Sequence, residues 1–178
     1  SNAGLATDWP TFRHDAARSG HASTSVPAEL APAWQMDVGG RLTSPVIADG
    51  RVFLAAIDTH TVHALDAESG ERLWQVTVGG RVDSPPTIHE GRVLFGSADG
   101  RVYCLRASDG EMAWRFRAAP LDERLVAFEQ VESVWPVHGS VLADDTLSAG
   151  EARVYFAAGR ATVLDGGIRL YALEARTG

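Results

Sequence analysis

The sequence predicts an all-β fold: a β-propeller of four-stranded antiparallel blades, with about three blades present as part of a larger ring. Two observations carry this prediction. A module of roughly 40 residues occurs twice in full, and each copy divides into four short apolar runs separated by glycine and aspartate. Repeats of this period are typical of solenoids and propellers, because one unit cannot bury its apolar faces alone.

Each module ends in a glycine turn followed by a tryptophan. Residues 64–74 read ALDAESGERLW and residues 104–114 read CLRASDGEMAW, while the last residues of the chain open a further copy. Glycine suits this turn because it adopts positive φ without steric cost. A tryptophan at a fixed place on an outer strand can pack on the next blade and donate its N–H to a carbonyl. The predicted structural docking residues are Trp34, Trp74, Trp114, Gly70 and Gly110.

The four apolar runs of a module predict the four strands of one blade. In the first module they cover about 45–48, 51–57, 61–66 and 72–78. The second run is apolar on consecutive residues, so both of its faces must be buried. A sheet packed between two similar sheets meets that requirement, as in a propeller.

The motif Ala-x-Asp-x-x-x-Gly-x-x-x-Trp, complete at 64–74, resembles the tryptophan-docking motif of quinoprotein-type β-propellers with PQQ-like repeats. That group includes pyrroloquinoline quinone dehydrogenases and propeller lipoproteins of bacterial outer-membrane assembly. The second copy departs from the motif at Cys104 and Arg106, and the third at Glu174. The resemblance implies the fold, a ring with further blades, and a periplasmic or exported location.

The chain divides into a tag remnant, an N-terminal leader and a repeat region, predicted at 1–3, 4–33 and 34–178. In the leader, Trp9 and Phe12 are expected to plug one face of the channel or to cover a blade edge. A single strand at 34–39 has no inner strands before it. We expect it to complete another blade, because closing a ring removes exposed sheet edges. The three repeats are predicted at about 41–78, 81–118 and 135–178.

The repeat is interrupted after the second blade. An insertion at 120–132 has apolar residues at helical spacing, which predicts one or two helical turns. The third blade has a longer first hairpin at 143–152 and an enlarged loop at 159–167. In a propeller, connections between blades share a face with connections between the second and third strands. The insertion and the enlarged loop are therefore expected on the same face.

Departures from a repeat that gather on one face often mark binding. We therefore predict a candidate binding face there, although acidic loop residues are also commonly solvated and a lone histidine is commonly structural. Its candidate residues are Asp58, His60, Asp83, Asp99, Arg124, Glu129, Glu132, Trp135, His138, Arg160 and Asp165.

Composition and motifs restrict the function. The formal net charge is -7 and no basic cluster is present, so nucleic-acid binding is not expected. No apolar run is long enough to cross a bilayer. Cys104 is the single cysteine, which prevents an intrachain disulfide, and we expect it to be a small core residue. Motifs for a serine nucleophile, a zinc protease, a dithiol or a phosphate loop are absent from the sequence.

These observations favour a non-catalytic propeller module for binding or scaffolding, part of a longer exported bacterial protein, with no catalytic residue, metal or cofactor. The alternative, from the resemblance, is the N-terminal part of a pyrroloquinoline quinone-dependent dehydrogenase, which would use PQQ and calcium. Such enzymes lead us to expect an adjacent-cysteine disulfide, which one cysteine cannot form, and no oxygen donors are spaced to bind calcium with Asp83 or Asp165. The expected partners are a second copy, through open blade edges or strand exchange, or another protein.

Overall fold

The structure, a computed structural model, describes residues 8–146 and 151–178. The predicted tag remnant, the first residues of the leader and the middle of the 143–152 hairpin lie outside these residues. No helix occurs in the two described ranges, and therefore none that could cross a membrane. The strands are β1 Val46–Ala48, β2 Arg51–Ala56, β3 Thr61–Asp66, β4 Arg72–Thr77, β5 Thr87–His89, β6 Arg92–Ser97, β7 Arg101–Arg106, β8 Met112–Arg117, β9 Arg124–Ala127, β10 Gln130–Ser133, β11 Leu142–Asp144, β12 Arg153–Ala158 and β13 Arg169–Glu174.

The strands form sheets in simple chain order. Blade one (β1 to β4) and blade two (β5 to β8) are four-stranded antiparallel sheets, and blade three (β11 to β13) has three strands in the described residues. Strands β9 and β10 form a separate two-stranded hairpin, here called the insertion hairpin. The inner strands β1, β5 and β11 of neighbouring blades contact one another. The predicted all-β propeller class is confirmed.

The blades are held together by apolar side chains on both faces of the middle strands. In β6, Phe95 packs in the cluster that joins blade two to blade one, whereas Leu94 packs in the cluster that joins it to blade three. This explains why that strand is apolar without alternation. Cys104 is buried in the second cluster, and burial raises the pKa of its thiol to about 12. Its predicted role as a core residue is confirmed.

Each docking tryptophan donates its indole N–H to the following blade. The distances from Nε1 to the carbonyl oxygens of Ala67, Ala107 and Ala175 are 3.0, 3.0 and 3.1 Å for Trp34, Trp74 and Trp114, respectively. A glycine with positive φ lies under each ring. A Cβ on Gly110 would come within 2.9 Å of the Trp74 indole. The turn glycine therefore serves two purposes, the left-handed backbone and the space for the ring.

Residues 34–39 differ from the expected strand. They pair with no strand of the described residues, although Trp34, Met36 and Val38 pack against blade one. Through Trp34, the segment lies where the outer strand of a preceding blade would lie. That it completes another blade stays a prediction.

The leader lies along the inner edges of the blades. Trp9 exchanges two backbone hydrogen bonds with Ile47 of β1, at 2.8 and 2.9 Å, and the Pro10 carbonyl accepts one from Ile88 of β5. Trp9 thus covers a blade edge, one of the two roles expected of it. Phe12 is 43% exposed and lies beside the Arg18 guanidinium.

Candidate functional site

The insertion at 120–132 forms strands and not helical turns, so that prediction is wrong. Strands β9 and β10 pair with Ala127 opposite Gln130, which leaves a two-residue turn at Phe128 and Glu129. Both turn residues have positive φ, 50° and 63°, as a type I′ hairpin turn requires. The sequence did not indicate this turn because phenylalanine and glutamate are unusual in it; asparagine and glycine are the common pair.

A group of three charged side chains, of which Arg81 and Glu132 are buried and Arg160 is partly exposed, fixes the base of the insertion hairpin. The side chain of Glu132, on β10, is fully buried. Its Oε1 lies 2.5 Å from Nη2 of Arg81 and accepts a hydrogen bond from Arg81 Nε at 2.6 Å, while its Oε2 binds Arg160. Because a buried carboxylate needs charged and hydrogen-bonding partners, these arginines allow the hairpin to be anchored deep in the fold.

Blade two and blade three are linked beside this group. Nδ1 of His138 lies 2.8 Å from Oδ2 of Asp83, whose other oxygen lies 3.3 Å from Nη1 of Arg81. Burial acts to raise the pKa of the Asp83 carboxyl. The hydrogen bond from His138 and the charge of Arg81 outweigh burial, so the pKa lies below its ordinary value. Asp83 is therefore ionised near neutral pH and holds His138 in place.

Two further contacts join the insertion hairpin to blade one and the segment after the hairpin to the enlarged loop at 159–167. Nε2 of His60, in the turn after β2, lies 2.8 Å from Oε1 of Gln130 on β10. The Trp135 indole N–H donates to the Asp165 carbonyl at 2.6 Å, which ties the segment that follows the hairpin to the enlarged loop. These contacts connect blade one, the hairpin and blade three across one face.

The remaining candidates are Asp58, Asp99, Arg124 and Glu129, which lie apart from the group formed by Arg81, Glu132 and Arg160. Asp99 accepts a 2.5 Å hydrogen bond from the Tyr103 hydroxyl, and burial followed by this bond raises the pKa of the phenol. Asp58 forms an exposed ion pair with Arg41 at 2.7 Å. Arg124 and Glu129 lie on the exposed hairpin, where Arg124 is 3.5 Å from Asp122.

Sequence reasoning missed Arg81, which contacts two of the candidate acids. It stands at the repeat position of Arg41, and a residue that recurs in the repeat gives no signal of its own. Its partner Glu132 belongs to the insertion, which has no counterpart in blade one. The alignment of the two modules therefore carries no signal for this pairing.

The insertion hairpin presents apolar side chains to solvent. Val126, Phe128 and Val131 are 75%, 71% and 55% exposed, whereas Leu125 packs against the cluster that contains Trp135. The Phe128 ring lies 4.6 Å from the Arg81 guanidinium carbon, a cation–π contact. The hairpin is thus anchored by one set of residues and exposes another.

The described residues do not fit a calcium-dependent quinone site. Among residues 8–146 and 151–178, no three His, Cys, Asp or Glu side chains are placed to hold a metal ion. Calcium requires six to eight oxygen ligands around one point. The single cysteine also prevents the adjacent-cysteine disulfide that the resemblance implies. We derive no chemical step through such a group.

Comparison with known families and structures agrees with the fold. Residues 25–178 match the family described as outer membrane protein assembly factor BamB. No curated protein matches the chain. BamB from Moraxella catarrhalis is 21% identical, with a TM-score of 0.58, over 82% of this chain and 37% of that protein.

Two dehydrogenases are structurally similar as well. Quinohemoprotein alcohol dehydrogenase from Comamonas testosteroni is 24% identical, with a TM-score of 0.74, over 100% of this chain and 27% of that protein. Quinohemoprotein alcohol dehydrogenase ADHIIG from Pseudomonas putida HK5 is 18% identical, with a TM-score of 0.73, over 97% and 26%. The chain thus spans 26–37% of the length of BamB and these two dehydrogenases, and identities this low show the fold alone.

Proposed function

Because the chain belongs to the family described as outer membrane protein assembly factor BamB, we propose that it is a non-catalytic propeller module that binds or scaffolds another protein. A periplasmic or otherwise exported location is part of this proposal, since the family description names outer-membrane assembly. The observation that carries the proposal is the insertion hairpin. It departs from the repeat, is anchored by buried charges and exposes three large apolar side chains.

The hairpin has the properties of a protein-binding element. Exposed apolar patches with a polar surround commonly mark interaction sites. A few buried aromatic and arginine residues carry most of the free energy of binding at interfaces. Here Phe128, at the turn of the hairpin, is 71% exposed and its ring lies on the guanidinium of the buried Arg81, so Phe128 is the aromatic side chain that a partner would bury. A rigid anchor also lowers the conformational entropy lost on binding.

We expect a photoreactive amino acid at Val126 of the full-length protein to crosslink to one discrete partner in the bacterium that produces it. Substitution of the neighbouring Phe128 and Val131 by serine should reduce the crosslinked product about tenfold or more, because these side chains would lie in the interface. Mass spectrometry of the adduct identifies the partner.

The matched control places the photoreactive group at Leu73, which is 46% exposed on the outer strand of blade one. The Leu73 position should give no such adduct. The proposal fails if both positions give the same adducts, or if the serine substitutions leave the Val126 adduct unchanged.

The alternative is the N-terminal part of a pyrroloquinoline quinone-dependent dehydrogenase. The tryptophan-docking motif at 64–74, which resembles that of such enzymes, is compatible with this alternative, whereas the arrangement of the described carboxylates does not favour it. A ligand that binds only the folded state raises the melting temperature. The alternative requires such a rise with quinone and calcium together, and our proposal expects none.

We also propose that two copies of the chain associate through blade three. Strand β13 has no partner on its outer side among the described residues, and Leu170 on it is 83% exposed. Residues 34–39 already lie at an outer-strand position beside blade one. The same segment of a second copy would complete the fourth strand of blade three and satisfy its free backbone groups.

Light scattering during size-exclusion chromatography of this 178-residue chain should give twice the monomer mass of 19.0 kDa. Trp34→Ala should shift the mass to that of a monomer, because the indole holds the 34–39 segment in place. A monodisperse wild-type monomer would exclude this association.

A further inference from the structure

His63 is a buried histidine whose ring has no hydrogen-bond partner. It lies in the middle of β3 and is only 4% exposed. Both ring nitrogens are buried, and neither has a partner in the described part of the chain. Buried polar groups are nearly always hydrogen-bonded, so an imidazole with two unpaired nitrogens requires an explanation.

The other two blades have tyrosine at this position of the repeat. Tyr103 and Tyr171 are the third residues of β7 and β13, as His63 is the third residue of β3. The hydroxyl of Tyr103 donates to Asp99, and that of Tyr171 donates to the Ala118 carbonyl at 2.6 Å. Histidine therefore replaces a residue that is hydrogen-bonded at the same place in the fold. Of the three blades, blade one alone has a group there that titrates near neutral pH.

The 34–39 segment covers the face of blade one on which His63 lies. Because side chains alternate along a strand, His63 points to the same face as Leu65. The side chains of the segment that pack on this face are those of Trp34, Met36 and Val38.

Blade three shows how such a cover contacts the repeat position. Phe116, two residues after the docking tryptophan of blade two, packs edge-on against Tyr171, with 5.5 Å between the ring centroids. Met36 likewise stands two residues after Trp34. The repeat therefore places Met36 over His63.

Few bonds hold the segment on blade one. The indole N–H of Trp34 donates to Ala67, whereas the backbone of residues 34–38 forms no hydrogen bond with the rest of the described chain. Its counterparts in the repeat, β4 and β8, are full strands of their own sheets. The segment is therefore held mainly by apolar contact, and it should open more easily than the sheets around it.

The elements packed around His63 in the described structure present no acidic side chain to it. Burial, and after it the positive charge of Arg72 on β4, hold the pKa of His63 below its ordinary value. Arg51 and Asp66 lie opposite each other on β2 and β3, and by alternation they point to the other face of the sheet. Asp37, the charged residue of the segment, is exposed and accepts a hydrogen bond within the segment.

Protonation of His63 and docking of the segment therefore oppose each other. Release of the segment opens the imidazole to water, where the pKa of histidine is about 6.5. Docking favours the neutral ring, so the docked state is most stable above this pH and loses stability as the pH falls below it. We propose that the 34–39 segment is a pH-sensitive cover of blade one, which acid releases through protonation of His63. Release uncovers Val52, Leu54 and Leu65, the apolar side chains beneath the segment.

Thiol labelling at position 36 of the intact chain tests the proposal. Cys104→Ala first removes the single native thiol, and alanine is the residue that the other two blades have at that position. A cysteine introduced by Met36→Cys then reacts slowly in the docked segment and at full rate in the released one. The labelling rate, divided by that of the same peptide free in solution, gives the open fraction at each pH. We expect this fraction to rise about five- to tenfold between pH 7.5 and pH 5.5.

Two further variants remove the titrating group, namely His63→Leu and His63→Tyr, of which the second restores the residue of the other blades. In both, the open fraction should change by less than about twofold over the same pH range. The matched control position is Val76→Cys on β4, the counterpart of position 36, which packs on the cluster that contains Tyr103. All of these contacts lie within one chain, so the labelling is done at a concentration at which the chain is monomeric. The proposal is overturned if the chain with His63 shows no rise, if the rise persists in either folded variant, or if Val76→Cys shows an equal rise, which would indicate general loosening in acid.

Discussion

Gly110→Ala is expected to lower the free energy of unfolding by about 2–5 kcal/mol, a large fraction of the stability of a typical domain. Two costs combine. Alanine in the left-handed region, at the Gly110 φ of 77°, costs roughly 1–2 kcal/mol. The new Cβ would also lie 2.9 Å from the Trp74 indole, and relieving such overpacking costs roughly 1–3 kcal/mol. Urea unfolding followed by circular dichroism measures the change.

Gly91→Ala is the matched control for that variant. Gly91 belongs to the same blade, has a φ of 69° and has no atom within 4 Å of the position of a Cβ. Gly91→Ala should lower the free energy of unfolding only by the cost of placing alanine in the left-handed region, about 1–2 kcal/mol. If the two variants lose equal stability, the contact between the turn and the indole contributes nothing.

Glu132→Gln is expected to destabilise the chain by up to about 3–5 kcal/mol, because it breaks a buried ion pair and leaves Arg81 with only Asp83 as a charged partner. The substitution keeps the size of the side chain and removes the charge shared by Arg81 and Arg160. The Arg81 side chain is only 8% exposed, so water cannot replace the lost partner. The insertion hairpin should become susceptible to proteolysis first, since Glu132 anchors it.

Asp58→Asn provides the comparison in blade one, at the acid that pairs with the repeat counterpart of Arg81. Asp58 pairs with Arg41, the repeat counterpart of Arg81, but the two side chains are 41% and 68% exposed. An exposed pair contributes little to stability, because water and salt screen the two charges. An effect of Asp58→Asn as large as that of Glu132→Gln would mean that burial does not distinguish the two pairs.

The parts of the fold that repeat could be predicted from the sequence. Two copies of one module give the same apolar runs and the same turn twice, so strand number and order follow from their agreement. The consecutive apolar residues of β2 and β6 also predicted sheets covered on both sides, and Leu94 and Phe95 show why. Local pattern and tertiary packing agree at these positions.

The parts that occur once could not be predicted in the same way. The insertion hairpin has apolar residues three apart, which suits a helix, but its base is fixed by Glu132 between two arginines far away in sequence. The sequence named Glu132 as a candidate for a binding face, but the distances that unite it with Arg81 arise only when the blades pack. Ion pairs between residues that lie far apart in sequence produce no periodic pattern, so the sequence does not predict them.

The tryptophan contacts all point in the same direction along the chain. Trp74 belongs to blade one but is covered by the Ala107 turn of blade two, and Trp114 of blade two is covered by the Ala175 turn of blade three. The fluorescence of each indole therefore reports on the blade that follows it. The difference in emission between the wild type and Trp114→Phe would therefore isolate the signal that reports on the opening of blade three.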